Sequence, residues 1–532
     1  MKRSLLPRLT AAASVLLLLG GCAKLGPDFS GIENPPVPQK WQKHTAAKSP
    51  VVQWWRTFRD PVLNELVTKA YAQNLDIKSA GLRIVQARAA LGIAQGLAFP
   101  QSQKINAKAT STRTGLGDVA ATDVSFDMGW ELDLWGKYGR GIEAGEAGLY
   151  ASVATYDNIM VSVIAEVARN YINYRTAQER LAYAKRNVII QERVTKMTEV
   201  QFNSGNVSEL DVQQARTQLY TTRTSIPAVE LNKAKARNAL ALLLGMDAAA
   251  VERILQRGNS RTYTDANRFI AMHKGVIQLN EGLKGLVDVN MVPKAKLNPS
   301  YRIDANLITQ RPDLKAAEHL VHANAAKLGA SMADLYPSFS IFGSIGYHNS
   351  NRLGGWMSGN DPLGITIGPS FSWNILNYGQ IKNQIRLKDA IFEESLVNYN
   401  KAVLSAVAEV SNALEGYALT LKQQKENKKA VAATLRAFNL SVIQYNDGLV
   451  NYQRLLTTVE KLTSTQDRYA TIKGNVALNA VALYKALGGG WQISRGKRYL
   501  SEETVARMKA RTDWGKMLDG NATILPKGFT HE

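Results

Sequence analysis

Residues Gln201-Phe202-Asn203-Ser204-Gly205 return as Gln444-Tyr445-Asn446-Asp447-Gly448, at an offset of 243 residues. Three further matches keep that register. Trp130 and Gly136 recur as Trp373 and Gly379, Ala165-Glu166-Val167 as Ala408-Glu409-Val410, and Leu244-Gly245 as Leu487-Gly488. Separated matches in one register mark a duplicated architecture. Each copy reads as a helix, two strands and a very long helical hairpin that turns at the quoted glycine.

Outward from those turns the chain is almost unbroken helix. Leu149 to Ser204 contains neither Gly nor Pro, and Gln380 to Asp447 only Gly416. At 1.5 Å per residue such runs reach roughly 80 to 100 Å. Met160, Ile164, Val167, Tyr171 and Tyr174 are spaced 4-3-4-3, as are Val403, Val407, Val410, Leu414 and Tyr417. That spacing is a coiled-coil seam. Ser208 to Leu244 and Asn451 to Leu487 return as antiparallel partners, with a kink expected at Pro227. Before the strands, one helix is expected from Asp60-Pro61 to Ala98, and its counterpart from Arg311-Pro312 to Tyr336.

The strands are expected at about 101–113 and 122–135, then about 338–350 and 362–376. Val124, Phe126, Met128, Trp130, Leu132 and Leu134 share one parity, as do Ile105, Ala107 and Ala109. So do Phe339, Ile341, Ile345 and Tyr347, and so do Ile365, Ile367, Phe371, Trp373 and Ile375. Period-two patterning over about ten residues suits membrane barrel strands better than a soluble sandwich. Trp130, Trp135, Trp373 and Tyr378 gather at strand ends, where an interfacial aromatic girdle would sit. Four strands per chain cannot close a barrel, for which about eight is the working minimum. Open edges are not tolerated in hydrocarbon. Several chains must therefore close the sheet together, and two, three or four would satisfy the geometry.

The N-terminus carries an address. Lys2, Arg3 and Arg8 precede the apolar run Leu9 to Leu19, and Leu19-Gly20-Gly21-Cys22 follows, with the chain's single cysteine. This resembles a bacterial lipobox, with residues 1–21 as signal peptide and Cys22 as the lipidated residue. Ala23 follows in place of the Asp that favours inner-membrane retention in enterobacterial lipoproteins, so the outer membrane is the expected destination. Residues 22–60, with Pro35, Pro36 and Pro38, read as an extended tether. Residues 61–246 and 311–489 are the two repeats, with hairpins at about 137–245 and 378–487. A connector of weak periodicity spans 247–310, and 490–532 is a mildly basic tail.

A formal charge of +21 over 532 residues raises the question of nucleic acid. The cations are spread along helical faces and no nucleic-acid motif is present, so solvated faces explain them. A weak attraction to anionic lipid or to an acidic partner remains open. No phosphate loop with its Lys and no nucleophile motif appears, so the chain is not read as an enzyme. The six histidines lack zinc-site spacing, and His319 with His322 reads as a solvated pair. No metal and no cofactor is expected apart from the lipid on Cys22.

The resemblance to a known family rests on Trp54-Trp55, Phe58 and Asp60-Pro61-Val62-Leu63, and on Trp130-Glu131-Leu132-Asp133-Leu134-Trp135-Gly136. Arg311-Pro312-Asp313-Leu314, Ala317-Glu318 and Gly329 to Pro337 add to it. The chain resembles the TolC-like outer-membrane factors, in their nodulation-type lipoprotein branch, over roughly residues 22–490. The resemblance implies a homotrimer with one membrane β-barrel and one long α-helical barrel. It also implies a periplasmic adaptor and an inner-membrane resistance-nodulation-division pump as partners, and a passive exit duct for small molecules such as drugs. Relatives place acidic residues near the periplasmic turns, where rings narrow the closed tip. Asp211 matches that pattern, whereas Arg454 and Thr457 stand where some relatives carry Asp. An Arg454 ring would oppose cations; a surface arginine paired with a carboxylate is the equal alternative. Gly205, Gly448 and Asp447 are the turn residues that the resemblance assigns to adaptor contact. The rival reading is a non-porous periplasmic coiled-coil lipoprotein scaffold, which leaves the four alternating segments unexplained.

Overall fold

The computed structural model describes residues 24–32, 52–115, 117–257, 270–273, 276–279, 289–295, 297, 310–350 and 363–519. Cys22 and the signal segment lie outside the described residues.

The first repeat comprises α1 (Pro61–Gln73), α2 (Leu75–Gly96), β1 (Ser102–Thr114), β2 (Gly117–Glu131), α3 (Lys137–Asn203) and α4 (Glu209–Leu244). The connector contributes α5 (Ala248–Arg257), β3 (Ile270–His273) and β4 (Val276–Leu279). The second repeat comprises α6 (Pro312–Ala333), β5 (Ser338–Ser350), β6 (Leu363–Ser372), α7 (Gln380–Asn446) and α8 (Tyr452–Ala486). α9 (Glu502–Arg511) lies in the tail. α3 and α7 are each 67 residues long, about 100 Å. Duplication has kept their length to the residue.

The helix expected from Asp60 to Ala98 is instead two helices, broken at Asn74. Asn74 is extended (φ −58°, ψ 133°) and its side chain accepts from Ile77 N, starting α2. Its amide also donates to Leu243 O at 2.9 Å, which ties the break to the end of α4. Asp60 caps α1 by accepting from Val62 N and Leu63 N, with Pro61 in the first turn. α4 runs past Pro227 without interruption.

β1, β2, β5 and β6 form one antiparallel sheet in that order, so β1 and β6 are its two edges. β2 begins earlier and ends earlier than the alternation indicates. The chain leaves the ladder because Asp133 caps α3, accepting from Tyr138 N at 3.1 Å and Gly139 N at 2.7 Å. β6 likewise stops at Ser372, and Tyr378 precedes α7 with a left-handed φ of 50°.

The main core lies midway along the long helices. There the predicted seam residues Met160, Ile164, Val167, Tyr171 and Tyr174 are fully buried. Trp54 stacks on Tyr484 of α8, ring centroids 5.1 Å apart, and donates to Gly489 O, so both ends of the repeat pair meet at this belt. Beyond it the tail straps the outer face of α2. Leu500, Met508 and Leu518 bury against Val85, and Gly81 leaves the space that the Tyr499 carbonyl occupies.

Candidate functional site

The sheet sorts its residues by parity into two chemically opposite faces. One row across all four strands reads Ile105, Phe126, Ile345 and Ile365; the next reads Ala107, Val124, Tyr347 and Leu363. Phe126 is 43% exposed, Ile105 78% and Ile365 69%, a continuous apolar face without cover among the described residues. The other face carries Lys104, Asp127, Ser344 and Thr366 in one row, and Lys108, Asp123 and His348 in another. Asp127 is held by Asn106 (2.6 Å), Ser344 (2.6 Å) and Ser125 (2.9 Å), and Asp123 accepts from His348. A sheet apolar on one face and hydrogen-bonded polar on the other, with both edges unpaired among the described residues, is incomplete as a single copy.

The four aromatics gather at the end of the sheet nearest the helices. Trp130 donates to Ala98 O, Trp135 to Pro337 O and Trp373 to Leu335 O. Trp135 also stacks on Tyr336, whereas its repeat counterpart Tyr378 is fully exposed.

Just below, residues 24–29 form a strap that the sequence did not reveal. Leu25 N donates to Trp135 O, and Gly26 lies against Gly329 of α6 so closely that neither can carry a side chain. Arg140, 1% exposed, donates to Leu25 O (3.0 Å), Gly26 O (3.2 Å) and Asp28 (2.7 Å). Phe29 stacks on His322, whose Nε2 is 3.0 Å from Glu143. Burial raises the Glu143 pKa, but His322 and Arg140 outweigh it and hold the carboxyl below its usual range. His319 sits against Tyr150, and burial with the neighbouring His322 and Lys315 pushes its pKa down to about 4. His322 is thus a packing element of this strap, and His319 is half-buried against α3, so the two are not a solvated pair.

At the opposite end of the long helices the two turns lie side by side. In each, the glycine is left-handed, Gly205 at φ 75° and Gly448 at φ 71°. Gly205 N donates to Phe202 O and Asn206 N to Gln201 O; Gly448 N donates to Tyr445 O and Leu449 N to Gln444 O. Both are Schellman caps, which explains the repeated glycine physically. The next helix starts differently in the two copies. Ser208 and Asp211 form a reciprocal capping box on α4, so the Asp211 carboxylate already serves the helix end. In α8 the matching pair is Asn451 and Arg454: Asn451 accepts from Arg454 N, and the Arg454 guanidinium is exposed with no ion pair among the described residues. Thr457 donates back to Gln453 O. Asp447 is exposed beside Gly448.

Between tip and belt, the connector is pinned by buried polar groups. Glu179 of α3, fully buried, pairs with Lys473 of α8 at 2.6 Å and accepts from Met291 N and Val292 N. Asn439 of α7 accepts from Leu279 N and donates to Leu279 O, both at 2.8 Å, matching strand β4 as a neighbouring strand would.

The family model described as outer membrane efflux protein matches residues 66–246 and 305–489, both repeats. The chain belongs to that family. This efflux protein is 27% identical over 495 residues to the Salmonella typhimurium protein named "Probable outer membrane lipoprotein SilC", covering 90% of this chain and 98% of that one. It is 27% identical over 511 residues to nodulation protein T of Rhizobium leguminosarum bv. viciae, covering 94% and 97%. Among solved structures, the outer-membrane channel OprN superposes with a TM-score of 0.73 at 26% identity, over 88% of this chain and 100% of that one. The Campylobacter jejuni CmeC outer membrane channel gives 0.73 at 22% identity, over 92% and 98%, and shares the fold. The TolC-like fold and the nodulation-type lipoprotein kinship read from the motifs are therefore correct.

Proposed function

We propose that this efflux protein is the outer-membrane duct of a tripartite efflux system, assembled as a homotrimer and passive in itself. The observation that carries the reading is the four-stranded sheet with one exposed apolar face and two edges unpaired among the described residues, joined to helices about 100 Å long. Copies joined edge to edge satisfy the open amides and set the helical hairpins around a common axis. A relative of 27% identity is named for this role, the toluene efflux pump outer membrane protein TtgF of Pseudomonas putida. The proposed partners are a periplasmic adaptor at the tips (Gly205, Gly448, Asp447) and an inner-membrane pump of the resistance-nodulation-division type.

Cys22, with residues 1–21 as signal and 22–60 as tether, is proposed as the lipid anchor. The strap supports this assignment: Lys24, two residues on, lies against Gly136 beside the aromatic end of the sheet, within about 7 Å of chain reach. Trp130, Trp135, Trp373 and Tyr378 are assigned to the membrane interface, and the repeats to 61–246 and 311–489. A passive duct needs no catalytic group and no cofactor beyond the acyl chains. The scaffold alternative gives the apolar rows nothing to face. Reconstitution tests the proposal. The purified lipoprotein should run as a heat-modifiable trimer and conduct in planar bilayers. A species that stays monomeric in mild detergent and never conducts overturns it.

A further inference from the structure

α8 has two sharply different halves. Leu455, Leu456, Val459, Leu462, Gln466, Tyr469, Ala470 and Lys473 are buried against α3 and α7. The other half exposes Gln453, Arg454, Thr457, Glu460, Lys461, Ser464, Arg468 and Asn475, with Ala482 beyond them and no large apolar side chain. Within it Arg454, Lys461 and Arg468 recur every seven residues, so they line up along the helix about 10 Å apart. None of the three makes an ion pair among the described residues. The acids nearby are fewer and lie to one side. On α8 itself Asp467 is already paired with Arg180 at 2.7 Å, which leaves Glu460; at the tip Asp447 and Asp211 lie near the start of the helix, and Asp211 is engaged with Ser208.

The side on which this stripe lies follows from the connector. Lys473 meets Glu179, the residue that holds connector positions 291 and 292. At about 100° per residue, Lys461 and Arg468 project about 120° to 140° around α8 from Lys473. A duct cannot hold three copies of the connector in its bore, so the connector side is the outer wall and the cationic stripe turns inward. The uncovered faces of α7 and α4 differ in kind, with Leu404, Leu419, Tyr220 and Leu231 exposed. Such faces belong at junctions between copies, whereas a face with no large apolar group belongs in water. The equivalent stripe of the first repeat, Asp211, Gln218 and Ser225, carries no cation, and its one acid is engaged with Ser208.

We infer that Arg454, Lys461 and Arg468 form a cationic ladder on the bore of the lower tube, which makes this duct favour small anionic solutes over cations. The inference rests on the duct reading proposed above. Each rung would be repeated by every copy around the axis. Rungs about 10 Å apart lie close to the screening length at physiological salt, so their potentials overlap along the lower tube.

The test is the reversal potential of the purified full-length protein in planar bilayers under a KCl gradient. The wild type should pass chloride over potassium by a ratio above about 2. Arg454→Gln with Lys461→Gln and Arg468→Gln should bring the ratio near 1, and the triple change to Glu should invert it. Arg507→Glu, on the outer tail helix, should leave it unchanged. A cation-selective wild type, or a ratio indifferent to both triple variants, overturns the ladder while leaving the duct intact. A folded trimer that conducts no ions overturns the duct reading itself.

Discussion

Gly329→Ala sets two opposing effects against each other at a place where both can be sized. Gly329 is inside α6, so a methyl group there gains up to about 1 kcal/mol of helix propensity. The same methyl would stand 2.6 Å from Leu25 O and 3.0 Å from Arg140 Nε. Neither is the loose end of a flexible chain, because Arg140 is 1% exposed and Leu25 is its backbone acceptor. Overpacking of this kind costs about 1 to 3 kcal/mol. If the strap lifts instead, Arg140 loses charge-assisted bonds to Leu25 O and Gly26 O, at about 1.5 to 3 kcal/mol each. The less costly route sets the outcome, so Gly329→Ala should destabilise by about 1 to 2 kcal/mol, the overpacking cost less the propensity gain. Gly148→Ala is the matched control, since its Cβ would meet nothing within 4 Å in α3, and it should stabilise by about 0.5 to 1 kcal/mol. Thermal melts in detergent, with limited proteolysis after Lys24, read both. A Gly329→Ala protein as stable and as protected at Lys24 as wild type refutes the clamp.

Other perturbations address other parts of the molecule. Asp157 is buried in α3 facing Arg495 and Lys315, and burial pushes its pKa up to about 8. Because that lies above the unfolded value near 3.9, the folded state holds the proton more tightly; stability is greatest below pH ~4 and is lost as pH rises through 8. Asp157→Asn should remove this fall, so that its Tm exceeds wild type at pH 8.5 and not at pH 5; parallel Tm profiles would discredit it. Asn439→Leu leaves the N–H and C=O of Leu279 without partners, at about 1 to 3 kcal/mol each, and should speed protease cleavage of the connector; unchanged cleavage rates count against the amide's role. Gly205→Val and Gly448→Val force a β-branched residue into left-handed backbone, at about 1 to 2 kcal/mol each. Efflux in a cell assay should fall while trimers still form on gels, and full efflux would show that the turns tolerate rearrangement.

The sequence carried the long helices and the sheet because both follow from periodicity. Fifty-six residues without a breaker, from Leu149 to Ser204, can be little else than helix, and parity alone sorts Ile105, Phe126, Ile345 and Ile365 onto one face. What it could not carry depends on pairs distant in the chain. Gly26 and Gly329 look like ordinary glycines until folding brings them together, and His322 looks solvated until Phe29 lies on it. Asn74 stands in a run of good helix formers, and its bond to the distant Leu243 O fixes the break that its cap on α2 begins. Ser208-x-x-Asp211 was a readable exception, a capping box with Asp in place of the usual Glu or Gln.

The two turns at the far end share one backbone shape, yet they differ in electrical character. One couples Ser204-Gly205 to a carboxylate turned back on its own helix; the other sets Asp447-Gly448 beside an unneutralised guanidinium. Any ring of identical chains would thus offer twice as many landing points as it has subunits, alternating between two kinds. A mate that grips all of them equally must read main-chain form and ignore charge. One that reads charge can occupy only every second place.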